Sequence, residues 1–238
     1  MTGQSSELCG EDGMLFRSTL VLLGLALAAP QAQPPASVPA GHVVRNLVVY
    51  PGRPELHVAV LPTATYLGGD RFILKELSDC EMHIFVEADV HRNVRRFYWV
   101  HFESYLANRP TDHMTYGDID RRSNGWGMTI WVRAEPTRSS RPPQPGSDTE
   151  HFRNIILRAG YRMPAEMMSA RLVRLLDDPT NTGYGRRELM MIYGEDLAAA
   201  NVTYNDVTVN GEPNARWSAL EKPLLSRALK AFQVTSRW

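Results

Sequence analysis

An α+β fold, a mainly antiparallel sheet built of hairpins with helices packed on one face, is the class this sequence predicts. Two long hairpin signals and one capped helix carry that prediction. Residues 82–89 alternate between apolar and polar side chains, pass through Asp89-Val90-His91-Arg92-Asn93, and return along residues 95–105, which are rich in Phe, Tyr, Trp and Val. Residues 168–176 and 188–193 read as a second antiparallel pair, joined by the turn-rich 177–185 (DDPTNTGYG). Ser147-x-x-Glu150 reads as a capping box at the head of a helical stripe, Phe152, Ile155, Ile156 and Ala159, with Gly160 as its stop.

The N-terminal elements come first in the chain and differ in kind. Residues 18–29 (STLVLLGLALAA) form an unbroken small and apolar run of 12, preceded by Met14-Leu15-Phe16-Arg17. Ala26-Leu27-Ala28 supplies the small-x-small exit that a signal peptidase cuts. The run is well short of the ~20 apolar residues that a bilayer-spanning helix needs. Residues 1–28 are therefore read as a cleaved secretion signal, with Met1 or Met14 as alternative starts. Residues 29–41, with Pro30, Pro34, Pro35 and Pro39, read as an extended Pro-rich tether, and 42–238 as a single α+β domain. The expected location is outside the cytoplasm, periplasmic or secreted, in a bacterium.

Within the domain, Leu56, Val58 and Val60 alternate as a strand, Gly68-Gly69-Asp70 marks a turn, and Phe72-Ile73-Leu74 resumes an apolar stretch. After the aromatic hairpin, 109–127 reads as an exposed loop, 128–132 as a short strand, and 138–146 (RSSRPPQPG) as a mobile surface segment. The last element is a helix over 216–233, kinked or divided at Pro223. Strands this rich in aromatics predict a sheet covered in part on both faces, or curved around a cavity.

Composition excludes some partners. The 26 basic and 26 acidic residues cancel, which gives no whole-chain attraction to nucleic acid or to an anionic membrane. Residues 95–102 superficially resemble an RNA-binding strand, but Arg96 and Tyr98 occupy positions that motif reserves for small residues. No nucleic-acid partner is expected, and membrane contact only during export. Of the two cysteines, Cys9 leaves with the signal, so Cys80 has no disulfide partner and reads as a small buried hydrophobe.

Candidate chemistry lies on the aromatic strand. Trp99, His101, Glu103 and Tyr105 share one face with Phe97 because side chains alternate with period two. They are the candidate ligand-binding residues, with His101 and Glu103 as a candidate catalytic acid/base pair. A three-residue turn at 91–93 would set His83 opposite His101 and Glu87 opposite Phe97, a gathering that suits a metal site or an acid/base pair; the competing reading makes this face the wet side of the sheet. Glu188, Tyr193, Glu195 and Asp196 read as a solvated strand end, with Arg171 or Arg174 inside and paired to Glu188 or Glu195. No Gly-x-Ser-x-Gly elbow, His-Glu-x-x-His helix, Cys-x-x-Cys pair or phosphate loop is present, so no metal ligand set and no cofactor are predicted.

The stretches DCEMHIFVEADVHRNVRRFYWVHFESYL, RNIILRAGYRMPAEMMSARLVRLLDD and RRELMMIYGEDLA resemble segments of a family of uncharacterised exported bacterial proteins, over roughly residues 45–200. The resemblance implies a bacterial envelope setting and carries no activity, cofactor or catalytic residue. The functional expectation is a non-enzymatic periplasmic or envelope protein that binds a small, partly apolar ligand or a protein partner. The alternatives are a hydrolase or isomerase using His101 and Glu103, and a structural envelope component.

Overall fold

The computed structural model describes residues 38–52, 55–116, 121–123, 129–138 and 142–237. The signal, most of the tether and residues 139–141 of the surface segment lie outside the described residues.

Strand β1 (His42–Val44) turns into β2 (Leu47–Tyr50) through Arg45 and Asn46, both at positive φ, the backbone a two-residue hairpin turn requires. Strand β3 (Glu55–Val60) buries Leu56, Val58 and Val60, as the alternation predicts. Strand β4 (Thr65–Leu74) corrects the predicted turn at Gly68-Gly69-Asp70. Those residues are strand: a register shift between Tyr66 and Gly68 forms a bulge, Gly68 takes φ 143°, and pairing resumes. Strands β5 (Ser78–Ala88) and β6 (Val94–Tyr105) form the predicted long hairpin.

The predicted loop at 109–127 contains β7 (Met114–Thr115), whose Met114 is buried, and β8 (Arg121–Ser123). Strand β9 (Thr129–Arg138) is twice the predicted length. Helix α1 (Asp148–Arg158) begins where predicted: Ser147 Oγ accepts from the Glu150 amide at 3.2 Å. The Glu150 carboxylate, however, accepts from the Gly146 amide at 2.7 Å, one residue before the position a capping box uses. Strand β10 (Glu166–Leu175) is followed by β11 (Tyr184–Gly185), which pairs with β7, and by β12 (Arg187–Asp196). β10 pairs antiparallel with β12, as predicted, and its other edge holds β9 along eight residue pairs, which is why β9 is long.

A 3-10 turn (Leu197–Ala200), helix α2 (Tyr204–Val207), and the short pair β13 (Thr208–Val209) and β14 (Glu212–Pro213) lead to helix α3 (Ala215–Ala231). α3 is one helix that contains Pro223, not two, and it stops before the predicted 233. Phe232 and Gln233 open strand β15 (Phe232–Arg237), because Phe232 and Val234 pair with Val60 and Val58 and extend the hydrophobic face of β3.

The class is α+β with mainly antiparallel sheet, as predicted. Seven strands run in the order β4-β5-β6-β12-β10-β9-β8, and a four-stranded sheet in the order β1-β2-β3-β15. One face of the large sheet, with Phe85, Tyr98, Phe102, Met191 and Leu172, packs on the small sheet and on α3. Tyr50 and Phe102 stack between the sheets at 3.9 Å and 7°. The other face, with Ile84, Val86, Phe97 and Trp99, is covered by Phe152, Ile155 and Ile156 of α1. The helices thus divide between the two faces instead of sharing one, and both faces of the aromatic strands are buried.

Candidate functional site

The hairpin register differs by one residue from the expected one. Met82, not His83, lies opposite His101, and Glu87 lies opposite Arg96, not Phe97. The cause is local. Asp89 accepts from the amides of His91 and Asn93, both at 2.9 Å, and Arg92 takes φ 62°. The register then shifts so that Ala88 faces Val94 and Glu87 faces Arg96, leaving Arg95 as the extra residue of a bulge. Its guanidinium holds Asp89 at 2.9 Å and Asp196 at 2.8 Å. An inserted residue reverses parity, so His83 falls on the opposite face from His101. There it bonds Glu81 at 3.0 Å and Tyr66 at 3.1 Å.

The predicted face does hold Trp99, His101, Glu103 and Tyr105, but it is no wet surface. Trp99 is 5% exposed and stacks on Phe152 of α1 at 4.7 Å, which removes it as an open platform for an apolar ligand. Tyr105 is half-buried, with the Arg186 guanidinium 6.0 Å from its ring centre. His101 is 0% exposed. Phe72 and Trp99 flank its ring at 6.3 and 5.7 Å.

Across the strand pair, Cys80 is the direct partner of Glu103. One ligand-capable atom each of Cys80, His101 and Glu103 lies within 4.8 Å of the other two. Among the described residues neither His101 ring nitrogen has a hydrogen-bond partner, and the Trp99 indole nitrogen has none either. Each buried, unsatisfied polar group costs roughly 1–3 kcal/mol. The Cys80 thiol makes a long contact of 4.0 Å to the Ser78 carbonyl. The Ser78 side chain also favours the charged form of the Glu103 carboxyl.

The electrostatics of the cluster follow from burial beside acids. Burial drives His101 well below the ordinary imidazole range, to about 4, so the ring is neutral at physiological pH. Burial also raises Cys80, with Glu103 and Asp148 adding to it, and raises Glu103, against the bond from Ser78. Asp148, in the first turn of α1, acts on all three residues. Glu188 is the cross-strand partner of Glu103 on β12 and is 3% exposed. Burial and then Glu103 raise it to about 7, although Tyr116 donates to it at 2.7 Å and Arg171 opposes the rise. Helix α1 is pinned above this face by His151, which bonds buried Asp70 at 2.9 Å and stacks on Phe72 at 3.7 Å.

The acidic end of the second hairpin is buried, not solvated as predicted. Glu195 and Asp196 are each 7% exposed, and Tyr193 2%. Arg227 of α3 grips Glu195 through two bonds of 2.6 and 2.8 Å, while Arg171 interacts with Glu188. Strand ends solvate only when nothing packs on them, and here α3 and the Arg95 bulge do. Sequence reading missed Cys80 as a site residue because an isolated cysteine looks like any small apolar residue. The signal that finds it is the hairpin register, once the bulge is known. A separate pocket of about 410 Å³ opens near the start of β6, lined by Asn93, Arg95, Met163, Glu166, Asp196 and Val202, with Arg95 committed to its two aspartates.

Among the described residues no helix is long and apolar enough to cross a membrane. Comparison with protein families, with curated proteins and with solved structures finds no match for this chain.

Proposed function

We propose that this chain is an exported, non-enzymatic binding protein of the bacterial envelope, and that its binding centre is the enclosed group Cys80, His101 and Glu103 beneath helix α1. The observation that carries the reading is His101: fully buried, neutral, and with neither ring nitrogen partnered among the described residues, beside a thiol and a carboxylate. A protein interior rarely leaves an imidazole in this state. A small bound group that engages His101 supplies the missing partner and repays the desolvation. The leader at 1–28 supports the location, since it directs export.

Thermal unfolding in the presence of a low-molecular-weight envelope fraction tests the reading. Such a fraction stabilises the wild-type chain and leaves His101→Phe unmoved. Equal response of the two proteins removes this centre as the binding site.

A second reading, a hydrolase or isomerase with His101 and Glu103 as acid and base, draws on the adjacency of a neutral imidazole and a carboxyl of raised pKa. The complete burial of His101 weighs against it, because an ester or amide substrate is far larger than the small group the binding reading needs at the ring. Turnover of a broad ester or amide panel, lost in Glu103→Gln, would favour it over binding.

A further inference from the structure

The ligand class can be narrowed, on the footing of the binding centre just proposed. We propose that Cys80, His101 and Glu103 are three protein ligands of a zinc-class divalent cation, with a fourth position left for water or a second ligand. The donor set is one sulfur, one nitrogen and one oxygen, which suits a borderline cation such as Zn²⁺ and is a poor fit for Mg²⁺ or Ca²⁺, whose ligands are oxygens. Two of the donors are cross-strand partners and the third is two residues along the same strand, so a rigid sheet sets their spacing. Their ligating atoms lie within 4.8 Å of one another. Bonds of about 2.0–2.3 Å in a tetrahedral site bring the donors to roughly 3.3–3.8 Å. The required contraction is about an ångström and lies within the reach of side-chain rotation.

His101 supplies the independent observation. Its ring is wholly buried, and neither nitrogen is engaged by any described residue, so a lone pair is available to a Lewis acid at no cost in broken hydrogen bonds. Asp148 acts on each of the three residues with the sign that favours a cation, and His151 opposes it at His101. Charge balance then closes in the buried space. The cation displaces the thiol proton of Cys80 to solvent and takes Glu103 as carboxylate, so that M²⁺, S⁻ and COO⁻ sum to zero. The Ser78 side chain favours the charged form of Glu103, the form a cation takes. Glu103 is less buried than Cys80 and His101.

Cobalt is the probe, because a thiolate bound to Co²⁺ gives a charge-transfer absorption that imidazole and carboxylate alone do not. The experiment uses the purified exported chain, cut after Ala28 so that Cys80 is its single thiol, after treatment with chelator. The expected result is one Co²⁺ per chain, a thiolate charge-transfer band, and bleaching of that band by equimolar Zn²⁺. Cys80→Ser abolishes the band, and His101→Phe weakens cobalt binding at least tenfold with the circular dichroism of the fold retained. If either variant fails to fold, protection of Cys80 from alkylation under denaturant pulses by Zn²⁺, but not by Mg²⁺, reads the same site in the unmutated ligand set. No thiolate band and no zinc protection overturn the inference, as does cobalt binding that both variants retain. The two proposals fail separately. A low-molecular-weight fraction stripped of metal that still stabilises the chain through His101 leaves the binding centre and overturns the cation; a fraction that stabilises neither stripped nor unstripped, together with no zinc protection, removes both.

Discussion

Cys80 and Glu103 face each other directly across β5 and β6, which sets a thiol and a carboxylate on one face of the large sheet with the His101 ring beside them. The bulge at Arg95 produces this pairing. Without the extra residue the strands would meet one step out of phase, and Cys80 would turn to the opposite face.

If His101 is retained for a ligand, it is a burden to the ligand-free fold. Replacing it with phenylalanine removes two unsatisfied nitrogens and keeps a flat ring of similar size between Phe72 and Trp99. His101→Phe is therefore expected to stabilise the chelator-treated protein by roughly 1–3 kcal/mol in urea denaturation. A loss of stability in that variant would mean that the imidazole already has good partners.

Gly194 sits opposite Phe97, and a Cβ there would overlap the Phe97 ring. The ring cannot retreat, because Phe97 is 4% exposed and packs against Phe152 at 5.0 Å. Gly194→Ala is expected to cost about 1–3 kcal/mol, the range for overpacking in a filled core. Adding Phe97→Leu should recover part of the loss, and a double-mutant cycle measures the coupling. Strictly additive effects would show that the two positions do not compete for space.

The Glu188 carboxyl gives stability a sign in pH. Its pKa rises from 4.5 when unfolded to about 7 when folded, so the folded chain holds a proton that the unfolded chain has released. Stability due to this group is full below pH 4.5 and falls as pH climbs to about 7, by roughly 3 kcal/mol in all. Glu188→Gln carries no such proton, so its stability relative to wild type should improve steadily from about pH 4.5 to about pH 7. Denaturation curves collected across that interval decide the matter, and parallel profiles would rule out the raised pKa.

The end of the tether is clamped by a buried carboxylate. Ala40 and Gly41 amides donate to the two oxygens of Glu81 at 2.7 and 2.8 Å, and His83 completes the group. Burial pushes Glu81 up, and the bonds from His83, Gly41 and Ala40 more than reverse it, leaving the group below 4.5. Its contribution is present above the unfolded pKa and is lost as pH falls through the lowered folded value. Hydrogen exchange at Ala40 and Gly41 should stay slow at pH 4.5 in wild type and become fast in Glu81→Gln. Fast exchange in the wild type at neutral pH would dismiss the clamp.

What could be read from the sequence was mostly what period two encodes. The face shared by Trp99, His101, Glu103 and Tyr105 needed only alternation, and the helix behind Ser147 only its cap. Cross-strand register was not legible, because it turns on one side chain, Asp89, accepting two amides beside a bulge at Arg95, ahead of His101 and Glu103 on the same strand. Strand β15 was hidden because Phe232 continues the helical stripe of Trp217, Leu224 and Ala228, and only its pairing with Val60 identifies it as strand. Burial of Glu188 and Glu195 depends on Tyr116 and Arg227, residues distant in sequence with no local signature.

The most direct measurement is an electron-density map of the protein purified from its native envelope, at a resolution that resolves ordered water, with anomalous scattering recorded at the zinc edge. The account predicts a bound group within bonding distance of a His101 ring nitrogen, between Cys80 and Glu103. A lone water bridging His101 to its neighbours, with no anomalous signal, would make the cluster a satisfied piece of core and would contradict the account.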